Sequence, residues 1–235
     1  MLTVDFSRLE IKPGDRILDV GCGPGRHACE AVKHPGALVT AVDVAAKELV
    51  KASKNLSYCA DIGECRGKWA TTAADITRLP FDDATFDMII CAETLEHIPH
   101  HKKAVAELFR VLKPGKNLVV SVPRNWPERI CWKLSDTYHL ANAGHVRIYV
   151  QKTIARLLTG AGFAVWGKHY AHGLHSPYWW LKCLVGPTRE DSWLVNTYHR
   201  FLVWDMFKRP PAVRLLARML NPVMGKSLVL YLRKR

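Results

Sequence analysis

The sequence of 235 residues predicts an α/β fold built on a mostly parallel sheet. Short apolar segments alternate with segments that can form helices, which is the order expected of β-α-β units. The first apolar segment, 16–20, runs directly into the glycine-rich turn 21–25. The sequence Lys-Pro-Gly at 113–115 follows a helical pattern and is typical of the end of a helix. The length suits one α/β domain with insertions.

Strands are predicted where apolar runs end at an acidic residue or at a turn. Six such runs occur, at residues 16–20, 38–42, 69–74, 86–92, 117–122 and 163–169. Three of them are followed by an acidic residue, namely Asp43, Asp75 and Glu93. Because the carboxyl ends of parallel strands meet at one edge of a sheet, these acids are expected to lie on the side where ligands bind.

Helices are predicted between the strands. They are expected over residues 26–33, from residue 46 into the 57–65 region, over 102–112 and over 153–160. Residues 123–144 follow the carboxyl end of the fifth strand, so they are expected to face the ligand crevice, and their pattern indicates irregular structure.

The glycine-rich turn 21–25 carries the first functional signal. Glycine lets the chain turn sharply and lets a ligand approach the backbone. In dinucleotide enzymes, the same turn and the helix N-terminus behind it hold a pyrophosphate. Here Asp19 lies two positions before the first glycine, where it would repel a phosphate but could attract an ammonium group. This points to a cofactor with an amino-acid end, and S-adenosylmethionine is the usual one.

The sequence resembles the class I S-adenosylmethionine-dependent methyltransferases, in the broad group of type 11 and ubiquinone-biosynthesis-like small-molecule methyltransferases. The motifs that carry the resemblance occur in the family's order: 19–25, Asp43, Asp75-Ile76, 79–87 and 112–115. The resemblance covers residues 1–170 and implies an enzyme with a Rossmann-like sheet of seven strands, with helices on both faces. It implies that the seventh strand, 227–232, is antiparallel and lies beside the sixth.

The resemblance also implies the roles of cofactor-binding residues. Asp19 would orient the methionine amino group, Asp43 would accept hydrogen bonds from both ribose hydroxyls, and Asp75 would accept one from the adenine amino group. Ile76 would lie beside the adenine ring. The remaining residues expected at the cofactor are Gly21, Cys22, Gly23, Val44, Ala92 and Glu93.

Two histidines are candidates for catalysis. An oxygen nucleophile benefits from a base, and a histidine near neutrality suits the removal of a proton from a hydroxyl. His97 follows the fourth strand, and the resemblance puts His145 beside the substrate pocket. Either histidine could instead only hydrogen-bond a loop backbone. The loose spacing of His97, His100 and His101 provides no tetrahedral ligand set, so no metal site is expected.

The charge is concentrated near the C-terminal end. The formal net charge is +13, and residues 174–235 contain eleven Lys or Arg against three Asp or Glu. The same region holds four of the eight tryptophans. This composition is compatible with a membrane-surface helix, a nucleic-acid surface or a substrate lid. The expected organisation is a core at 1–173, an aromatic and basic helical insertion at 174–222, and the last strand with a basic tail at 223–235.

The favoured function is methyl transfer to a small acceptor that is apolar or lipid-linked, preferably at oxygen. Peripheral membrane contact through 174–222 would fit such an acceptor. The alternative is an RNA or protein methyltransferase, although the Asn-Pro-Pro-Tyr motif that clamps a flipped base is absent. A soluble polar acceptor and a non-catalytic scaffold are further alternatives. Seven cysteines without a Cys-x-x-Cys pair indicate reduced thiols, and no signal peptide or membrane-spanning run is expected, so the predicted location is cytoplasmic.

Overall fold

A seven-stranded sheet forms the centre of the molecule. The computed structural model describes residues 2–141, 145–208 and 210–235. The strands are β1 Arg16–Val20, β2 Leu38–Asp43, β3 Lys68–Ala73, β4 Phe86–Ala92, β5 Leu112–Pro123, β6 Phe163–Ala171 and β7 Ser227–Lys234. Their spatial order is β3-β2-β1-β4-β5-β7-β6. The pairs among β1 to β5 are parallel, and β7 is antiparallel to both β5 and β6. This topology confirms the predicted fold class.

Nine helices flank the sheet within the described residues. They are α1 Arg26–Ala31, α2 Ala46–Asp61, α3 His101–Val111, α4 Asn125–Leu134, α5 Asp136–Ala141, α6 Gln151–Gly160, α7 His175–Val185, α8 Trp193–Lys208 and α9 Pro211–Met224. Two short 3₁₀ turns are also present among the described residues: Phe6–Arg8, and Leu95–His97, which follows β4. In the part of the chain that the structure describes, no helix combines the length and the apolar character needed to cross a membrane.

The prediction that residues 123–144 are irregular is wrong. Helices α4 and α5 occupy most of this segment, and residues 142–144 fall outside the described residues. Proline is common in loops, but Pro127 lies in the first turn of α4. At that position a residue needs no backbone N–H donor, because no helical carbonyl precedes it to accept the bond. The buried side chains of α4 are Pro127, Glu128 and Cys131, so one face of this helix packs inward.

The core lies on both faces of the sheet. Strand β4 is buried along its whole length, as expected of a central parallel strand covered on both sides. Ile89 packs in the cluster beneath α3 and α6, whereas its neighbours Met88 and Ile90 pack in the cluster beneath α1 and α2. The central strands are therefore fixed on both sides, and their carboxyl ends present the turn after β1 and the residues after β4 on one edge.

Helices α7, α8 and α9 connect β6 to β7 and form a smaller apolar cluster of their own. Its buried members are Leu174, Tyr178, Val195 and Leu202. A second small cluster joins α7 to α4 and α5 through Cys131, Tyr138 and Cys183. These contacts hold the connecting helices against the edge of the sheet that carries the carboxyl ends of the strands.

Candidate active site

The turn after β1 has a shape that only glycine permits. Gly21 has φ +66°, and a Cβ atom placed on it would lie 2.4 Å from the Cγ2 and Oγ1 atoms of Thr94. Gly23 has φ +52°, and a Cβ atom there would meet no protein atom within 4 Å. The first glycine thus allows the turn to pack against the residues after β4. The second leaves open space on the surface that the turn presents to a ligand.

A cavity of about 500 Å³ lies at this edge of the sheet. Most of the site residues that the sequence predicts line it: Gly21, Cys22, Gly23, Asp43, Val44, Asp75, Ile76, Ala92, Glu93 and His97. Asp19 and His145 are not among the lining residues. The cavity is formed by the carboxyl ends of neighbouring strands, which is the usual place for a ligand in an open α/β sheet.

Asp43 connects the end of β2 to the turn. Its Oδ2 atom accepts a hydrogen bond from the backbone N–H of Gly23 at 2.9 Å, and its Oδ1 atom accepts one from Ala45 at 2.9 Å. Since each carboxylate oxygen has a second lone pair, Asp43 can still accept hydrogen bonds from a ligand in the cavity. The carboxylate therefore combines a structural contact with an open position toward the cavity.

Asp19 lies behind the wall of the cavity. Its side chain is buried, and its Oδ2 atom accepts a hydrogen bond from the backbone N–H of Ala28 at 3.0 Å. Burial raises the pKa of Asp19 to about 7, although this hydrogen bond and the charge of Arg26 act in the opposite direction. Asp19 can therefore affect a ligand only by shaping the turn or through the charge of its own carboxylate.

Asp75 and its neighbours form a second side of the cavity. The Oδ1 atom of Asp75 accepts hydrogen bonds from the backbone N–H and the hydroxyl of Thr77, at 2.7 and 2.9 Å. Ile76 is buried, whereas the Val44 side chain is 77% exposed although it lines the cavity. An exposed valine beside a buried isoleucine gives an apolar surface that a flat ring could cover.

Glu93 lies between two cavities. Its φ of +52° is uncommon for a residue other than glycine, and its Oε1 atom accepts a hydrogen bond from the Ser121 hydroxyl at 2.9 Å. Desolvation raises the pKa of Glu93, against weaker effects of Ser121 and Lys226 that lower it. Glu93 and Arg26 also line a second cavity, of about 440 Å³. Strained backbone of this kind is concentrated at functional sites.

The walls of the second cavity come mainly from α7 and α8. Its apolar lining residues are Tyr178, Trp179, Leu202, Val203 and Met206, and its polar ones include His172, His175, His199 and Lys226. Mostly apolar walls with a few polar groups are typical of sites for small organic molecules.

The two candidate catalytic histidines lie side by side. The imidazole ring centroids of His97 and His145 are 4.7 Å apart. The Nδ1 atom of His145 lies 3.1 Å from the Oε1 atom of Glu128, and Lys226 lies 3.5 Å from the other oxygen of this carboxylate. Burial raises the pKa of Glu128, but the contacts with His145 and Lys226 outweigh it and hold the pKa below its usual value. Glu128 is therefore ionised at neutral pH.

Glu96 is a site residue that the sequence interpretation missed. It is completely buried, and neither of its carboxylate oxygens has a hydrogen-bond partner among the described residues. Burial raises the pKa of Glu96 well above its usual value, and the nearby Glu93 adds to the effect. One ligand atom each of Glu96, His97 and His145 lie within 4.8 Å of one another. In the sequence, the adjacent residues Glu96 and His97 shortly after β4 were the available signal for this cluster. No such signal exists in the sequence for Glu128 and Lys226, because they join the cluster only through tertiary packing.

The chain is similar in sequence to known methyltransferases. A family model described as a methyltransferase domain matches residues 18–120. The chain is 32% identical to 27-O-demethylrifamycin SV methyltransferase of Amycolatopsis mediterranei (strain S699) over 112 residues, 48% of this chain and 40% of the relative. It is 33% identical to cycloartenol-C-24-methyltransferase 1 of Oryza sativa subsp. japonica over 141 residues, 60% of this chain and 37% of the relative. These matches span about two fifths of the length of each relative.

The fold is also that of known structures. A crystal structure of a SAM-dependent methyltransferase from Methanosarcina mazei matches with a TM-score of 0.63 at 18% sequence identity. The match covers 99% of this chain and 99% of the other. At this identity the likeness shows the fold alone.

Proposed function

We propose that the protein is a class I S-adenosylmethionine-dependent methyltransferase, because residues 18–120 match a methyltransferase-domain family model, and that it transfers the methyl group to a small acceptor that is apolar or lipid-linked, preferably at oxygen. The observation that carries this proposal is the position of Glu93, which lines both cavities. A donor bound in the first cavity and an acceptor bound in the second would meet there. Holding two reactants in contact and in line accounts for much of the rate of such reactions.

The residues of the first cavity fit S-adenosylmethionine, which supplies a methyl group on a positively charged sulfur when bound. Gly23 leaves open space beside the turn, where a Cβ atom would otherwise project. We assign the ribose hydroxyls to Asp43, whose carboxylate oxygens each keep a lone pair. We assign the adenine amino group to Asp75, because both hydrogen bonds from Thr77 go to a single oxygen, Oδ1.

The remaining cofactor residues complete this assignment. Val44 and Ile76 would cover the two sides of the adenine ring, since one is exposed in the cavity and the other forms its floor. Asp19 would act on the methionine amino group through its charge, because its side chain is buried behind the turn. Ala92, Cys22 and Glu93 line the cavity at the ends of β1 and β4, where the methionine end of the cofactor would lie.

The second cavity favours an apolar acceptor. Five aromatic and aliphatic side chains from α7 and α8 line it, and most of its lining surface is apolar, although the other eight lining residues are polar or charged. One relative is named for cycloartenol, a sterol, and another for a rifamycin. An acceptor with a large apolar surface suits walls of this composition.

His145 and His97 are the proposed groups for removing a proton from the acceptor. An ionised carboxylate can only accept hydrogen bonds, so the contact with Glu128 holds the proton of a neutral His145 on Nδ1. Its Nε2 atom then keeps a lone pair that can take up a proton. His97 lines the first cavity, and its ring lies beside that of His145 at an interplanar angle of 58°, so His97 would extend this pair toward the reacting atoms.

Helix α9 suggests contact with a membrane surface. Its residues Val213, Ala217 and Leu220 pack toward α7 and α8. At helical spacing on other faces, Leu215, Met219 and Val223 are each at least 60% exposed. Exposed Arg214 and Arg218 lie on the same helix. An apolar stripe beside basic side chains is typical of helices that lie on anionic lipid, and it would bring the second cavity near a lipid-linked acceptor.

The first experiment is calorimetry with S-adenosylmethionine and S-adenosylhomocysteine, followed by transfer of labelled methyl groups. Micromolar binding of either ligand supports the cofactor assignment. Label would then be sought in three pools: a lipid extract, a polar metabolite extract and RNA. Label in the lipid extract supports the proposed acceptor class. Label in RNA alone, or in polar metabolites alone, would replace it with one of the alternatives, and no ligand binding would contradict the proposed activity.

A further inference from the structure

The cluster formed by Glu96, His97 and His145 has the composition of a metal site. Glu96 and His97 are held by the 3₁₀ turn that follows β4, and His145 comes from the segment that precedes α6. One ligand atom of each residue lies within 4.8 Å of those of the other two.

Glu96 provides an independent observation. It is completely buried, and both of its carboxylate oxygens lack a hydrogen-bond partner among the described residues. Burying a carboxylate without a partner is strongly unfavourable, and nearly all buried polar groups in proteins are satisfied. Since one of these oxygens faces the two histidines, a cation between the three residues would supply the missing partner.

Glu128 gives His145 the arrangement of a ligand. Metal-binding histidines commonly donate their second N–H to a carboxylate, which fixes the ring and its tautomer. The Nδ1 atom of His145 lies 3.1 Å from Glu128, so a neutral His145 presents the lone pair of Nε2. The buried Glu128 is itself held by Lys226. The orientation of His145 is thus set from outside the cluster.

We propose that Glu96, His97 and His145 bind one divalent transition-metal ion. Two imidazoles and one carboxylate suit Mn²⁺, Fe²⁺, Co²⁺ and Zn²⁺, whereas Mg²⁺ and Ca²⁺ prefer oxygen ligands. With bonds of about 2.0–2.2 Å, ligand atoms around one ion lie roughly 3–4 Å apart, so small side-chain rotations from the present separation suffice.

The ion would keep open coordination positions toward the first cavity, because His97 is exposed and lines that cavity. Three protein ligands with the remaining positions open are typical of catalytic rather than structural metal sites. In a role that rests on the proposed function, an oxygen atom of the acceptor would occupy one of these positions.

The test is direct binding of Co²⁺ and Mn²⁺ to the metal-stripped full chain, measured by calorimetry and by the visible absorption of bound Co²⁺. We expect one ion per chain. Glu96→Gln, which keeps the shape of the side chain, and His145→Asn should each weaken binding at least tenfold. His34→Gln is the control, because His34 is a partly exposed histidine that lies outside the cluster and lines neither cavity. It should bind Co²⁺ like the unmodified protein.

Thermal unfolding distinguishes a metal site from a buried neutral carboxyl group. A bound ion raises the unfolding temperature of the unmodified protein and leaves that of Glu96→Gln unchanged. Absence of Co²⁺ and Mn²⁺ binding, or equal binding by all variants, would overturn the proposal. S-adenosylhomocysteine is titrated into the same samples, so loss of the metal site and failure of the proposed function are measured separately.

Discussion

The Nδ1 atom of His145 lies 3.1 Å from the Oε1 atom of Glu128, a completely buried residue of α4. This contact joins a helix that follows β5 to the segment that precedes α6. Because the Glu128 carboxylate is ionised, the contact fixes which nitrogen of a neutral His145 carries the proton. The orientation of His145 therefore depends on a residue that lines neither cavity.

Replacing Glu128 should slow methyl transfer without weakening cofactor binding. In Glu128→Gln, the amide can also donate a hydrogen bond, so His145 is no longer held in one tautomer. We expect the turnover rate to fall at least tenfold, as for other carboxylates that orient a functional histidine, while calorimetry gives an unchanged Kd for S-adenosylhomocysteine. Arg129→Gln, an exposed change on the same helix, is the control. Unchanged turnover in Glu128→Gln would contradict the orienting role.

Asp43→Ala should weaken cofactor binding at least tenfold, about 1.4 kcal/mol. The substitution removes the acceptor proposed for two ribose hydroxyls and the hydrogen bond to the Gly23 amide. Calorimetry with S-adenosylhomocysteine measures the effect. Asp43→Asn retains one acceptor oxygen, so its Kd for S-adenosylhomocysteine should lie between those of the unmodified protein and Asp43→Ala. Asp61→Ala, an exposed acid at the end of α2, should have no effect. An unchanged Kd for Asp43→Ala would remove the assignment of the ribose to this residue.

The central sheet could be predicted from the sequence because its signals are local. Apolar runs and the acids that end them gave β1, β2 and β4 to within a residue, since buried parallel strands are continuous apolar segments. Most residues of the first cavity followed from the same pattern, because the carboxyl ends of adjacent strands must meet. The antiparallel position of β7 came from the family resemblance and not from its own sequence.

The parts that sequence could not give depend on tertiary packing. Residues 123–144 were expected to be irregular, whereas they contain α4, in whose first turn Pro127 is well tolerated. Glu96 stands next to His97 after β4, which was a signal of a site, but its complete burial could not be inferred from the sequence. Glu128 reaches His145 only because α4 packs against the carboxyl end of the sheet. Such contacts have no period or motif that would reveal them.

Filling the second cavity should separate acceptor binding from cofactor binding. Val203 lines this cavity from α8. Val203→Trp puts a large ring into a space of about 440 Å³, so we expect the KM for the acceptor to rise at least tenfold. The Kd for S-adenosylhomocysteine should not change, because Val203 does not line the first cavity.

Leu194→Trp is the matched control for this change. Leu194 lies on the same helix, is 55% exposed and does not line the second cavity. A similar rise in KM in both variants would indicate a general disturbance of α8. No change in Val203→Trp would mean that the acceptor binds elsewhere.

His27 should make the folded state less stable in mild acid. It is buried, and its Nε2 atom accepts a hydrogen bond from the backbone N–H of Thr3. Burial, together with the charge of Arg26, lowers the pKa of His27 from 6.5 to about 3. Between these values the unfolded chain binds a proton that the folded protein does not. The free energy of unfolding therefore falls as pH is lowered, by up to about 1.4 kcal/mol per pH unit for this residue.

Urea unfolding at pH 7 and pH 5 measures this effect. His27→Gln cannot take up the proton, so between these pH values it should lose about 2 kcal/mol less stability than the unmodified protein. His34→Gln, a partly exposed histidine after the same helix, should keep the full dependence. Identical losses in all three proteins would show that His27 is not held neutral by burial.

The exposed stripe of α9 should bind anionic membranes. Vesicles of phosphatidylserine and phosphatidylcholine should carry the protein into the pellet at low salt. Binding should weaken at high salt, because ions screen the attraction between Arg214, Arg218 and the lipid headgroups. The double variant Leu215→Glu, Met219→Glu should remain in the supernatant, since it puts charges into the apolar stripe.

The control for this experiment is Val50→Glu, Ile62→Glu, which changes two exposed apolar residues at α2, on another part of the surface. If it also prevents pelleting, the added negative charge explains the loss, and the stripe has no specific role. If only the α9 variant remains in solution while it still binds S-adenosylhomocysteine, the stripe is the contact. Activity on a lipid-dissolved acceptor should then fall in that variant, while activity on the same acceptor in detergent is retained.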